Sequence, residues 1–378
     1  MSIVLLSLVV WIYLVLAHGR FWSSAPELPP AAPTELPEVD IVIPARDEVA
    51  TIGPVIASLL AQDYAGRFRI ILVDDNSSDG TAAAATAATA AGTAGTTPSL
   101  VVLSGQPKPE GWSGKLWALS QGIAASSAPV LLFADADIVH DPRHLASLVA
   151  RMHHPQVDMV SEMVRLNCTS FAERALVPAF VYFFQMLYPF ARVNDPRSRV
   201  AAAAGGTVLI RRAALERIGG IASIRNALID DVTLAKAVKT SGRHSGAAIY
   251  LGHSGLATSV RPYPAWSDLW QMITRTAFTQ LHYSGLLLLL TLAGLTLVWL
   301  VPAGEILFGY GWGRAAGLAA FALAALSYQP TLARYRRSPL WAFALPLIAS
   351  FYMAATLGSA LNYWLGRGAR WKNRAYGS

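Results

Sequence analysis

Asp135 and Asp137 are the residues from which chemistry is first read. They follow the apolar run Leu131-Leu132-Phe133-Ala134, with only Ala136 between them. An apolar run broken so abruptly by charge reads as a buried strand, and ligands of open α/β sheets sit beyond the carboxyl ends of strands. Side chains at i and i+2 of an extended chain point the same way, so both carboxylates are expected to face one hard cation carrying a diphosphate. A solvated turn is the competing reading. Two further acidic sites stand at similar breaks: Asp74-Asp75 closes the apolar run 68–73, and Asp230-Asp231 precedes Leu234 and Val238, spaced to share a helical face. For the latter, helix capping and the helix dipole compete with catalysis as explanations.

Strand ends that collect carboxylates require a sheet to hold them. Residues 39–43 read as a strand ending at Pro44-Ala45-Arg46-Asp47-Glu48, followed by a helix over 51–62. A second strand over 68–73 ends at Asp74-Asp75-Asn76-Ser77-Ser78-Asp79-Gly80-Thr81. The Ala/Thr tract to about residue 94 favours helix through its alanines, and 100–103, 129–133 and 157–162 are further strands. Such alternation implies right-handed crossovers and a mostly parallel sheet. Gly205-Gly206 interrupts the segment 201–210, where a glycine pair permits either close backbone approach to a ligand or a plain turn.

The chain of 378 residues is 54% hydrophobic and only 14% charged, with mean hydropathy +0.40, too apolar for an ordinary soluble enzyme. Residues 1–18 read as an uncleaved membrane anchor, since no basic residue precedes the apolar run and no cleavage site follows it. Residues 19–37, with five prolines from Pro26 to Pro37, read as an extended linker. Between residues 175 and 190 an aromatic stretch reads as a core helix or as a segment at the membrane surface. Residues 263–283 form an amphipathic stripe of Trp266, Leu269, Trp270, Ile273, Ala277, Phe278 and Leu281, suited to a lipid interface. Spans are expected over about 286–301, 306–328 and 340–365, two or three of them crossing within 284–366, and a basic tail follows over 367–378. The net charge of +7 concentrates beside these apolar segments, which points to anionic lipid rather than nucleic acid. Arg334, Arg336 and Arg337 favour a cytoplasmic loop, but three full spans would then place the basic tail outside. The single cysteine, Cys168, excludes an intrachain disulfide and a cysteine-rich zinc site.

Taken together, 42–48, 73–81, Asp135-Ala136-Asp137 and Asp230-Asp231 resemble, in order and spacing, the family 2 glycosyltransferases of GT-A fold over roughly residues 38–262 and the stripe after them. Gly111-Trp112-Ser113-Gly114-Lys115-Leu116-Trp117-Ala118 and Ala204-Gly205-Gly206-Thr207, with an anchor before and membrane helices after, look most like the hopanoid-biosynthesis-associated branch, related to ceramide glucosyltransferases. The resemblance implies that Pro44, Ala45, Arg46, Glu48, Asp74, Asp75 and Asp135 hold a UDP-sugar. Asp137, with Asp135, would bind Mg2+ or Mn2+ on the diphosphate, and Lys115 would be a second cation there. Gly205 and Gly206 would line the donor site. Asp231 matches the family's general base, with Asp230 in place of the usual Glu. Arg275 is retained from an interfacial Gln/Arg-x-x-Arg-Trp motif whose first residue and Trp are missing here, which disfavours processive synthesis and leaves Arg275 as a contact to the donor diphosphate or the acceptor.

The expected activity is therefore metal-dependent, inverting sugar transfer to a lipid hydroxyl by a multi-pass protein of the inner membrane, its catalytic domain facing the cytoplasm. A polysaccharide synthase-like enzyme and a catalytically silent lipid-binding scaffold are the rival readings. Gly114-Lys115 is not a P-loop, because Pro109 and Leu116 stand where glycine and Ser/Thr belong. His153-His154 read as surface histidines, and His140 as a residue near the metal at most.

Overall fold

The computed structural model describes residues 3–89, 99–153, 157–242, 248–367, 370–371 and 374–375. The end of the Ala/Thr tract, His154 and residues 368–369, 372–373 and 376–378 of the basic tail lie outside them. The chain forms two compact units, one of Ala25–Asn167, Arg192–Pro262 and Arg370–Ser378, the other of Met1–Ser24, Cys168–Ala191 and Tyr263–Ala369.

The first unit is built on a nine-stranded sheet. Its strands are β1 (Glu27–Leu28), β2 (Val39–Ala45), β3 (Phe68–Asp74), β4 (Ser99–Ser104), β5 (Val130–Ala134), β6 (Ile138–His140), β7 (Val157–Arg165), β8 (Thr207–Arg211) and β9 (Ala248–Ser259). They order as β1-β9-β7-β8-β5-β2-β3-β4, with β6 paired to β9. β5, β2, β3 and β4 run parallel, whereas β8 is antiparallel to both β5 and β7. This is the mixed, mostly parallel α/β sheet of a GT-A fold.

Every residue of β2 is buried, as expected of a parallel strand covered on both faces. Its one charge, Asp40, is paired across the ladder with Arg69, whose Nε and Nη2 reach the two carboxylate oxygens at 2.7 and 3.0 Å. The bidentate pairing offsets the desolvation of that buried carboxylate. The proline-rich segment is not a free tether: β1 lies within it and adds an edge strand to β9, and His253 N donates to Pro26 O at 2.8 Å. Strand β9 carries glycine, histidine and serine without clean alternation, so its sequence gives no strand signal.

In the other unit, helix Ile3–Ala17 has 15 residues, about 22 Å at the α-helical rise and shorter than a bilayer core of about 30 Å. Gly285–Phe308, Gly311–Arg334 and Pro339–Trp364 are long and apolar enough to cross a membrane. The expected span over 306–328 straddles a break, because Gly309 closes one helix and Gly311, at φ 53°, opens the next. Residues 175–187 belong to a longer helix, Phe171–Leu187, which starts at a capping box between Ser170 and Glu173.

The 263–283 stripe is likewise two helices, Trp266–Thr274 and Ala277–Gln280. The hydroxyl of Ser359 explains the break. It donates to Thr274 O at 2.5 Å and accepts from Phe278 N at 3.1 Å, taking both partners of what would be one helical i, i+4 bond.

Gly122 tests the packing of the sheet unit. A Cβ there would lie 2.3 Å from Val42 Cγ1 and 3.2 Å from Val73 Cγ2. Gly122→Ala is expected to destabilise the protein by about 1–3 kcal/mol despite alanine's better helix propensity, read as a lowered Tm in thermal unfolding.

Candidate functional site

The loops after β2 and β3 are tied to each other by short polar side chains. Asp47 N donates to Ser77 Oγ at 2.9 Å, and Ser78 N donates back to Asp47 Oδ1 at 2.9 Å. Glu48 N donates to Thr81 Oγ1 at 2.8 Å. Asp47 and Asn76 both adopt left-handed backbone, φ 50° and 54°, which Asp and Asn tolerate better than most residues. Asp74 is spent on this loop, accepting Ser77 N at 3.0 Å. Asp75 is buried beneath Arg46, whose Nη1 lies 2.5 Å from Asp75 O and 3.6 Å from Asp75 Oδ2. Asp75 N donates to Ala45 O, joining the two strand ends.

Beside these loops a cleft opens, floored by Pro44, Leu116, Phe133, Val208 and Leu234 and ringed by Lys115, Asp135, Asp230 and Asp231. Lys115 stands in the first turn of helix Gly114–Ala124, which Ser113 caps by accepting Leu116 N. Its Nζ lies 2.9 Å from Asp135 Oδ1 and 3.2 Å from Asp230 Oδ2. Burial opposes the charge of Lys115, but Asp135 and Asp230 more than compensate and raise its pKa. Burial raises Asp135, against the pull of Lys115 and with the charge of Asp137 adding to the rise.

Asp230 and Asp231 open helix Asp230–Ser241. Burial, and then the charge of Asp230, push the Asp231 carboxyl up to about 7. Gly205 sits against it: a Cβ at Gly205 would come 3.2 Å from Asp231 Oδ2 and 3.5 Å from Lys115 Nζ. Asp135 N donates to Gly206 O at 3.1 Å, which fixes the glycine pair beside the end of β5. A Cβ at Gly206 would instead meet Val164 and Ile138, so this glycine's open side faces apolar packing.

The expectation that Asp135 and Asp137 share one direction by strand alternation is not met. β5 ends at Ala134, and the acidic pair lies in a turn closed by Ile138 N to Asp135 O at 3.3 Å. Asp135 pairs with Lys115, whereas Asp137 pairs with Arg261. Arg261 Nε lies 2.6 Å from Asp137 Oδ2, and its Nη2 lies 2.5 Å from Glu48 Oε1. Arg261 was not foreseen from sequence; it lies two residues beyond the end of β9, and no local pattern marks it.

His140 does not join the acidic turn. It is buried, with its Nδ1 2.8 Å from His144 Nδ1, while His144 Nε2 lies 2.6 Å from Glu162 Oε2. Burial pushes His144 down to about 3, so it is neutral, donating from Nε2 and accepting at Nδ1. His153 contacts Thr34 and Glu35. Arg275 belongs to the other unit, at the helix break described above.

Among the described residues no three His, Cys, Asp or Glu side chains form a metal cage. The adjoining carboxylates of Asp135 and Asp137 nevertheless suit a hard cation that takes most of its ligands from phosphate and water.

Residues 40–219 match the family model Glycosyl transferase family 2. The probable glycosyltransferase YdaM of Bacillus subtilis is 25% identical over 248 residues, 64% of this chain and 55% of that protein. An N-acetylglucosaminyltransferase of Bradyrhizobium elkanii is 29% identical over 124 residues, 32% of this chain and 63% of the relative. Dodecaprenyl-phosphate galacturonate synthase of Rhizobium johnstonii is 26% identical over 130 residues, 34% of this chain and 36% of that enzyme. The chain therefore spans less than two thirds of the length of each of these relatives. A solved mannosyltransferase of Pyrobaculum calidifontis, in complex with GDP-Man and Mn2+, shares the fold. It has TM-score 0.57 and 18% identity, over 94% of this chain and 98% of its own.

Lys115 holds Asp135 and Asp230 close together in this cleft. Lys115→Met is expected to leave Asp135, Asp230 and Asp231 repelling one another, raising the Asp135 and Asp231 carboxyls further. Folded carboxyls that hold protons more tightly than unfolded ones lose stability as pH rises. The variant's Tm should therefore match wild type near pH 4 and fall below it by pH 8, a loss of about 1–3 kcal/mol after allowance for solvent screening.

Proposed function

We propose that the protein is an inverting glycosyltransferase that moves one sugar from a nucleoside diphosphate, with UDP-sugar as the expected donor, to the hydroxyl of a membrane lipid. The observation that carries this reading is the junction at Lys115, where Asp135 after β5 and Asp230 at the start of helix Asp230–Ser241 meet within 3.2 Å of one ammonium, with Asp231 next in the chain. A donor-binding acid and a base must be that close for an acceptor oxygen to reach the anomeric carbon opposite its leaving group.

In this reading the loops at Pro44–Glu48 and Asp74–Asp75 receive the nucleoside, and Lys115 faces the diphosphate. Gly205 leaves room for the sugar in front of Asp231. Asp231 takes the proton from the acceptor hydroxyl. A carboxyl that titrates near 7 is a far better base than one near 4, because its conjugate acid holds the proton once transferred. Asp135 and Asp137 would hold Mg2+ or Mn2+, which when bound neutralises charge developing on the leaving diphosphate.

The lipid side of the proposal is supported by the three apolar helices and by the dodecaprenyl-phosphate sugar that one relative is named for making. Localisation in the inner membrane with the family 2 domain at the cytoplasmic leaflet, where nucleotide sugars are made, completes it. A hopanoid is the acceptor that the sequence resemblance suggests.

Purified protein supplied with a panel of UDP- and GDP-sugars and extracted membrane lipids should yield a glycolipid whose formation stops on chelation. Hydrolysis of the donor with no lipid product in any pairing sinks the acceptor assignment. Asp231→Asn is expected to lower kcat by about 10²–10⁴-fold. The wild-type kcat/KM should rise with pH through about 7, since the base acts only when deprotonated. A rising limb near 4 would show that the base does not carry the raised pKa assigned to Asp231.

A further inference from the structure

We propose that Arg261 makes metal binding at Asp137 conditional on a nucleoside diphosphate, by holding that carboxylate as an internal cation until phosphate oxygens draw the guanidinium away. The inference rests on the glycosyltransferase reading and adds to it a residue that controls the order of loading.

The guanidinium is committed on two sides. Nε reaches Asp137 Oδ2 at 2.6 Å, and Nη2 reaches Glu48 Oε1 at 2.5 Å. Both partners are held rigidly. Thr51 Oγ1 donates to Glu48 Oε2 at 3.1 Å, and Glu48 N is held by Thr81. Val260 N donates to Asp137 O at 2.8 Å, so the backbone beside Arg261 is registered on the acidic turn itself. The Asp137 and Glu48 side chains are 12% and 9% exposed, whereas Arg261 keeps 30%, so the exchangeable member of the cluster is the cation.

A divalent ion arriving alone must compete with this guanidinium for Asp137 and then sit beside its unbalanced charge. A diphosphate changes that balance. The planar fork of arginine pairs with phosphate as well as with carboxylate, so the transfer keeps the guanidinium neutralised and leaves Asp137 to the ion. Nucleotide and metal are then bound together or weakly. That prevents the acids from being occupied by stray cations and prevents donor from resting in the cleft without its metal.

The test is a titration of full-length protein in detergent with Mn2+, followed by the loss of the free-ion electron paramagnetic resonance signal, with and without UDP. Wild type is expected to bind Mn2+ at least about tenfold more tightly with UDP. In Arg261→Gln the affinity for Mn2+ alone should rise about tenfold, so that the ratio between the two conditions shrinks by that factor. Arg261→Lys, which cannot span both carboxylates as a fork, should give an intermediate ratio and carries the test should the glutamine variant not fold. Unchanged affinity for Mn2+ alone in whichever variant folds overturns the proposal while leaving the transferase reading intact. Wild-type protein that binds neither UDP nor Mn2+ overturns both.

Discussion

Two cations, Lys115 and Arg261, each hold a pair of carboxylates at one end of the sheet: Asp135 with Asp230, and Asp137 with Glu48. Asp231 adds a further acid to the same neighbourhood. The local account is therefore negative, and the rest of the site follows from that surplus. Burial first, and then that surplus through Asp230, lift Asp231 to about 7, above the ordinary carboxylate range. In the proposed reading the same surplus would attract an incoming divalent ion. On that reading one electrostatic deficit prepares a base and a cation site together, and it disfavours the folded state, as function-bearing sites commonly do.

The strands that carry this cluster were legible because the central ones are buried on both faces and read as plain apolar runs. β2, β3 and β5 stop where their apolar residues stop, and the acids after them were found by that rule. Asp230-Asp231 was legible as a helix start and met the site only through folding. Arg261 was illegible. It lies 124 residues from Asp137 and 213 from Glu48, after a strand whose residues show no period. The geometry of the acidic pair was misread for a local reason: alternation holds only while the chain stays extended, and here the strand ends one residue before Asp135. The split of the 263–283 stripe had no local signature either, since its cause is the hydroxyl of Ser359, far along the chain. Contacts within an element leave a pattern in sequence, whereas a single polar atom arriving from a distant element leaves none.

The unit of apolar helices is held by the same kind of long-range polar contact. Trp11 Nε1 donates to Val298 O at 2.9 Å, and Tyr182 Oη lies 2.7 Å from Ser327 Oγ. Gln185 Nε2 donates to Phe21 O and Ser23 O at 3.0 and 2.8 Å, and Tyr352 Oη to Leu176 O at 2.9 Å. Apolar helices slide on one another at little cost, so hydrophobic burial alone does not set their register. Each of these bonds costs a desolvated polar group if it slips, which converts a greasy interface into a specified one. Glu173 does this at the point where the chain passes between units. Its Oε2 accepts Thr169 N and Ser170 N at 2.9 and 2.7 Å, and its Oε1 accepts Tyr263 N at 2.7 Å. Residues 168 and 263 begin two of the segments of this unit, so one buried carboxylate gathers the starts of both. A helix N-terminus supplies unpaired N–H groups in any case, and drawing the third from a distant segment makes an ordinary capping box into a fixed origin for the helices that follow.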